Sequence, residues 1–165
     1  MTLSQYAYRI AGPIDAVIIF VINLAFPLFF LWGRASVPLW AWDGWSVYLV
    51  TAGYFVGLLP TISGVFNGIN FQRRAQGTAY TPPQHWLRAA IGRGVLVGVT
   101  QATVVALVLW LLQLTWPTWT LSWLTISLAN AGISAALGYL MQVRGVLSQR
   151  YPQAFPPLRS PEVCR

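Results

Sequence analysis

Charge is scarce in this sequence. Only 8% of its 165 residues are charged, against roughly 25% in ordinary soluble domains. The ten basic residues are all arginine, lysine is absent, and only three residues are acidic. So few charges cannot cover the surface of a soluble domain, and a hydrophobic content of 56% excludes a chain that is disordered throughout. The composition therefore predicts an integral membrane protein.

Residues that carry chemistry are equally scarce. His85 is the only histidine and Cys164 the only cysteine, so an internal disulfide is excluded and no cluster has the spacing of metal ligands. The sequence contains no phosphate-binding loop and no nucleotide fingerprint. We therefore predict no enzymatic activity, no metal and no cofactor. A lone loop histidine is expected to be solvated; the alternative is that His85 ligates a bound pigment or haem.

Runs without charge locate the membrane spans. They cover residues 16–33, 44–72 and 94–143, and a span needs about 20 apolar residues. The third run holds two helices, divided by the turn at 115–120. We expect an all-α membrane protein with four transmembrane helices at about 14–32, 45–69, 92–114 and 121–143, within a domain at 1–150. A proline-rich tail follows at 151–165.

The arginines indicate the orientation of these spans. Cytoplasmic loops carry an excess of arginine and lysine. With the N-terminus inside, nine of the ten arginines fall in inner segments and only Arg34 falls in an outer loop. Most tryptophans lie near the outer helix ends, as expected for interfacial side chains. We therefore expect a multi-pass protein of a bacterial cytoplasmic (inner) membrane with both termini cytoplasmic.

The chain shows signs of an internal repeat. A shift of 78 residues aligns Trp32 with Trp110, Trp45 with Trp123, and Asn23 with Gln101. Each half, 1–77 and 78–150, would form one helical hairpin. Two spans per unit predict parallel repeats related by an axis along the membrane normal. The alternative is that tryptophan recurs at outer helix ends without any repeat.

Small residues mark packing faces on two spans. In lipid, glycines let helix backbones approach closely. The second span carries Gly53, Gly57, Gly64 and Gly68 at spacings that keep them on one face, together with Pro60, which is expected to kink the helix. The third span adds Gly94 and Gly98. These residues predict helix packing within the chain; the alternative is a seam between copies or a hinge.

Polar residues inside the spans have two interpretations. Hydrogen bonds between helices hold membrane bundles together, and this is the first interpretation. The second is a polar cavity for a small substrate. The residues concerned are Asn23, Asn67, Gln101, Ser127, Ser134 and Gln142. Asp15, near the inner end of the first span, is placed favourably for the helix dipole; a proton or cation role is the alternative.

The inner loop carries the remaining basic residues. Clustered arginines next to a span hold anionic lipid headgroups or a partner, or they act as ordinary anchors of orientation. They are Arg73, Arg74, Arg88 and Arg93. The expected partners are thus membrane lipids, other copies of this chain or other integral membrane subunits, and no nucleic acid. A bound lipid or pigment is compatible with this composition.

Four short elements in the first half of the chain carry a family resemblance. They are Phe20-Val21-Ile22-Asn23, Val37-Pro38-Leu39-Trp40, Gly57-Leu58-Leu59-Pro60-Thr61 and Arg73-Arg74. Over about residues 14–75, the chain resembles a bacterial family of small multi-pass membrane proteins. The family has no assigned activity, so the resemblance implies a four-helix topology and no particular chemistry.

Three functional hypotheses follow. The first is a non-enzymatic accessory or scaffold subunit that acts through helix packing, in a homo-oligomer or a larger membrane complex. The second is a small carrier or channel for an uncharged or hydrophobic solute, with Asn23, Asn67, Gln101 and Ser134 lining the path. An enzyme acting on lipid is the third and least favoured.

Overall fold

The chain forms four long apolar helices, described here from a computed structural model that covers residues 1–38, 45–77, 80–118 and 120–150. The predicted tail at 151–165, Trp119 and the part of the first outer loop at 39–44 lie outside the described residues. Each helix is long and apolar enough to cross a membrane. The predicted set of four helices is therefore found.

The helices begin with a short segment that runs into the first span. Helix α1 covers Leu3–Tyr6, a π-helical turn covers Ala7–Ala11, and α2 covers Gly12–Leu31. The hydroxyl of Thr2 caps α1 by accepting a hydrogen bond from the Gln5 backbone N–H at 3.2 Å. Together these elements make one continuous apolar stretch of 29 residues, longer than the predicted span at its N-terminal end.

The other three spans also extend beyond their predicted bounds at one end of the molecule. Helix α3 covers Trp45–Gln76, α4 covers Trp86–Thr115 and α5 covers Trp123–Leu147. The residues gained lie mainly at the end that carries Arg73, Arg74, Arg88 and Arg144, which we call the arginine end. Hydropathy predicted only the apolar part of each helix. The helical backbone continues beyond that part into polar turns at the arginine end.

At the opposite end, the two loops that the arginine distribution predicts to be outer loops meet. Strand β1, Val37–Pro38, pairs antiparallel with strand β2, Thr120–Leu121. Beneath them Leu31, Val37 and Ile126 form a buried cluster, and the rings of Trp32 and Trp123 lie 5.4 Å apart. We call this the strand end. The pairing ties the loop after α2 to the loop before α5.

Helices that follow each other in sequence do not all pack together. Helix α5 packs along α2 and α3, and α4 packs along α3, while α2 and α3 barely touch. The spatial order is therefore α2–α5–α3–α4, with α3 and α5 in the centre. A chain built from two self-contained hairpins would instead pair α2 with α3.

The predicted glycines all lie at contacts within the chain. A Cβ added at Gly57 would lie 2.7 Å from Gly98 Cα in α4, and one at Gly64 would lie 2.9 Å from Gly145 Cα in α5. Gly53 also faces α4, Gly68 faces α5, and Gly94 and Gly98 face α3. The single face predicted for α3 is thus divided between two neighbouring helices, and Pro60 is buried on it.

These contacts recur at a nearly constant separation along the chain. Gly12 meets Tyr139 and Val143, and Gly94 meets Leu58 and Ile62. Likewise Gly138 meets Ile19, and Gly57 meets Gln101. Corresponding residues are 82 apart in α2 and α4 and 81 apart in α3 and α5, rather than the 78 that aligned the tryptophans. The predicted halves 1–77 and 78–150 remain a prediction; the recurrence describes how their helices pack.

The close contact of α3 with α5 leads to a stability prediction. A Cβ at Gly64 would lie 2.6 Å from the Gln142 carbonyl oxygen, so Gly64→Ala must push two backbones apart. We expect it to lower the free energy of unfolding by about 1–3 kcal/mol, measured in detergent. Gly132→Ala is the matched control, because nothing lies within 4 Å of its added Cβ and alanine is the better helix former. Equal destabilisation by both variants would contradict the contact.

Candidate functional site

A groove separates α2 from α3. Because α5 packs behind these two helices and they barely touch each other, a cavity of about 780 Å³ remains between them. This volume lies within the range of roughly 300–1,000 Å³ that is typical of small-molecule sites. The groove is the candidate functional site of the described residues.

The walls of the groove are apolar and rich in aromatic rings. Helix α2 contributes Ile18, Ile22 and Phe26, and α3 contributes Phe55 and Leu59. These side chains are about half exposed, with Phe26 at 50% and Leu59 at 58%, because no other part of the described chain covers them. From Asp15 to Phe26 the α2 wall rises about 16 Å at 1.5 Å per residue. The shape suits an elongated apolar molecule.

Each end of the groove has its own aromatic contact. At the strand end, Phe26 of α2 stacks on Tyr48 of α3 with ring centroids 6.3 Å apart. At the arginine end, Phe66 of α3 lies 6.2 Å from Trp86 at the start of α4, and Trp86 lines the groove as well. The groove is thus bounded at both ends and flanked by helices.

Pro27 leaves one backbone carbonyl of α2 without its helical hydrogen bond. Pro27 has no N–H, so the carbonyl of Asn23, four residues earlier, lacks its helical donor. The Asn130 side chain of α5 donates to that oxygen at 3.3 Å, while Asn23 Nδ2 donates to the Ile19 carbonyl at 3.0 Å. Asn23 lines the groove. Sequence analysis missed Asn130, although a proline in a span signals that such a donor is needed.

The buried polar residues of α5 hold it against its neighbours. Gln142 is 1% exposed and its Oε1 accepts from the Ser63 hydroxyl of α3 at 2.7 Å. Ser127 is fully buried and donates to the Trp123 carbonyl at 2.7 Å. Ser134 is buried as well. The Ser63–Gln142 hydrogen bond joins α3 to α5, whereas the Ser127 bond lies within α5. The role of Ser127 and Ser134 as glue between helices stays a prediction.

The predicted polar path is not assembled. Asn23 lies against α5, whereas Gln101 of α4 faces Gly57 of α3. Of Asn23, Asn67, Gln101 and Ser134, only Asn23 lines the groove, and Asn67 is half-buried elsewhere on α3. The residues are separated because α2 and α4 occupy opposite flanks of the central pair.

The loop residues at the arginine end lie at the surface. Arg73, Arg74, Arg88 and His85 are exposed and Arg93 is half-buried. His85 has a left-handed backbone with φ at 61° and makes no side-chain cap for α4. Within the described ranges, no three His, Cys, Asp or Glu side chains come together as a metal site. Burial raises the pKa of the Tyr80 hydroxyl, and the Arg73 guanidinium partly opposes this shift.

Asp15 is the one acidic residue on the groove. It lies in the first turn of α2 and lines the arginine end of the cavity. Its Oδ2 atom is buried without a hydrogen-bond partner among the described residues. Oxygens in this situation are costly unless a ligand or water pairs with them.

Comparison with known proteins identifies no relative of this chain: no family model, no curated protein and no solved structure matches it significantly.

The Asn130 hydrogen bond yields a prediction with a built-in control. Asn130→Ala should lower the free energy of unfolding by as much as about 1.7 kcal/mol, the upper range for hydrogen bonds between membrane helices. In a Pro27→Ala background the loss should be smaller, because residue 27 then supplies an N–H to the Asn23 carbonyl. Denaturation in mixed detergent micelles measures both. Equal losses in the two backgrounds would contradict the assigned role of Asn130.

Proposed function

We propose that this chain is a multi-pass membrane protein that binds a small hydrophobic or amphipathic molecule in the groove between α2 and α3. The observation that carries this proposal is the groove itself, an apolar cavity of about 780 Å³ between two helices of the bundle. Four helices long and apolar enough to span a membrane support the location. A molecule dissolved in the bilayer would enter the groove laterally.

The distribution of arginine supports the orientation of the protein. In the fold, the basic residues of α3, α4 and α5 gather at one end of the bundle, the end that the positive-inside rule assigns to the cytoplasm. We therefore keep both termini on the cytoplasmic side of a bacterial inner membrane as part of the proposal.

The positions of the glycines in the fold favour the solute-binding hypothesis over the accessory-subunit hypothesis. Gly53, Gly57, Gly64 and Gly68 face other helices of the same chain, so they are not free to form a seam between copies. The described chain leaves the groove between α2 and α3 unfilled. A partner helix is the competing occupant, and the experiment below distinguishes it.

The experiment uses a photoreactive long-chain alcohol that carries a diazirine. In purified protein reconstituted into zwitterionic lipid, labelling should concentrate on groove residues such as Phe55 and Leu59 and should saturate with excess unlabelled alcohol. Labelling of the outward face of α4, including Leu107 and Leu111, should not saturate, because bulk lipid contacts are weak and numerous. The labelled positions are read by mass spectrometry.

A substitution that fills the groove should reduce saturable labelling. Ala52 lines the cavity, so Ala52→Phe should reduce saturable labelling at least several-fold by occupying the space. Ala136→Phe, on an exposed position of α5, is the control of matched size and should leave labelling unchanged. Uniform, unsaturable labelling in the unmodified protein would refute solute binding; if a second membrane protein also copurified and crosslinked to groove residues, the accessory-subunit hypothesis would replace it.

A further inference from the structure

The groove is apolar along its length but carries a carboxylate at one end. Asp15 is one of only three acidic residues in a chain with ten arginines, and it is half-buried on the lining of this groove. Its buried Oδ2 has no hydrogen-bond partner among the described residues. An unpaired carboxylate in apolar surroundings is unfavourable, so a complementary positive group at this position would remove a cost that the free protein bears.

Aromatic rings lie at the same end of the groove as Asp15. Phe66 and Trp86 line the cavity there, with their ring centroids 6.2 Å apart. A cation within about 6 Å of such a ring is attracted by its quadrupole, most strongly by tryptophan. Carboxylate and rings together form the kind of environment that favours a positively charged head over a neutral or negative one.

From this combination we propose that the molecule bound in the groove is an amphipathic cation, with its positive head at Asp15 and its apolar body along α2 and α3. This inference rests on the proposed function and specifies its ligand class. Arg73, Arg74 and Arg88 are exposed at the same end and repel cations that approach from water. The ligand therefore needs an apolar body large enough to partition into the bilayer and reach the groove from its open side.

Two matched probes test the charge preference. Methyltriphenylphosphonium and triphenylphosphine oxide share three phenyl rings on phosphorus, but only the first is a cation. Equilibrium dialysis against the protein in phosphatidylcholine nanodiscs, with empty nanodiscs as background, measures the affinity for each. We expect the unmodified protein to bind the cation at least about tenfold more tightly, which corresponds to 1.4 kcal/mol.

Variants at Asp15 assign the preference to this side chain. Asp15→Asn should lower the affinity for the cation about tenfold and leave the affinity for the neutral oxide unchanged, which also reports that the groove is still folded. Asp15→Glu should retain the preference. Gln76→Arg is the control for net charge, because it adds the same one positive unit at an exposed position near the C-terminal end of α3.

The outcomes separate this inference from the proposed function. Equal binding of the two probes, or a cation affinity that Asp15→Asn does not change, overturns the inference and leaves solute binding standing. Absence of binding by both probes also overturns it, and saturable labelling by the long-chain alcohol then decides separately whether the groove binds an uncharged molecule. Loss of cation binding in Asp15→Asn alone supports the inference.

Discussion

Gly64 and Gly145 bring the backbones of α3 and α5 together, and the positions of the other helices depend on that contact. A Cβ on either glycine would lie 2.9 Å from the Cα of the other, so only glycine permits this separation. Helix α2 packs on α5 and α4 packs on α3, so each outer helix is placed by the central pair. The contact between α3 and α5 therefore sets the distance between α2 and α3, and hence the width of the groove, although α2 takes no part in that contact.

The helix contacts recur along the chain, but the groove chemistry does not. Glycines at 12, 57 and 64 have counterparts at 94, 138 and 145, so the packing positions are shared by both halves. At the same separations, Val97 corresponds to Asp15, Val105 to Asn23 and Ala136 to Phe55. These groove residues of α2 and α3 thus have different counterparts in α4 and α5, and Trp86 of α4 lines the groove as well. The recurrence is therefore confined to the small residues at the helix contacts.

Part of this structure could be predicted from the sequence, and part of it could not. Hydropathy is a local property, so the four spans were predictable, and helix spacing placed the glycines and the Ser127, Ser134 and Gln142 stripe of α5 on buried faces. The neighbour of each helix was not predictable, because it depends on surfaces that lie about 40 to 130 residues apart matching in shape. For that reason Asn130 was missed, Gln101 was grouped with Asn23, and the groove between α2 and α3 was not foreseen.

The order α2–α5–α3–α4 also has a consequence for how the protein is made. The Asn23 carbonyl that Pro27 leaves without a donor meets Asn130, which lies 107 positions later in the chain. During synthesis, α2 would enter the membrane long before α5 exists. The Asn23 carbonyl would therefore lack its Asn130 donor while α3 and α4 are inserted. The first two spans alone would lack the helix that holds them together. We expect the bundle to assemble only after α5 has been inserted, so the groove forms after the insertion of all four helices rather than with each hairpin.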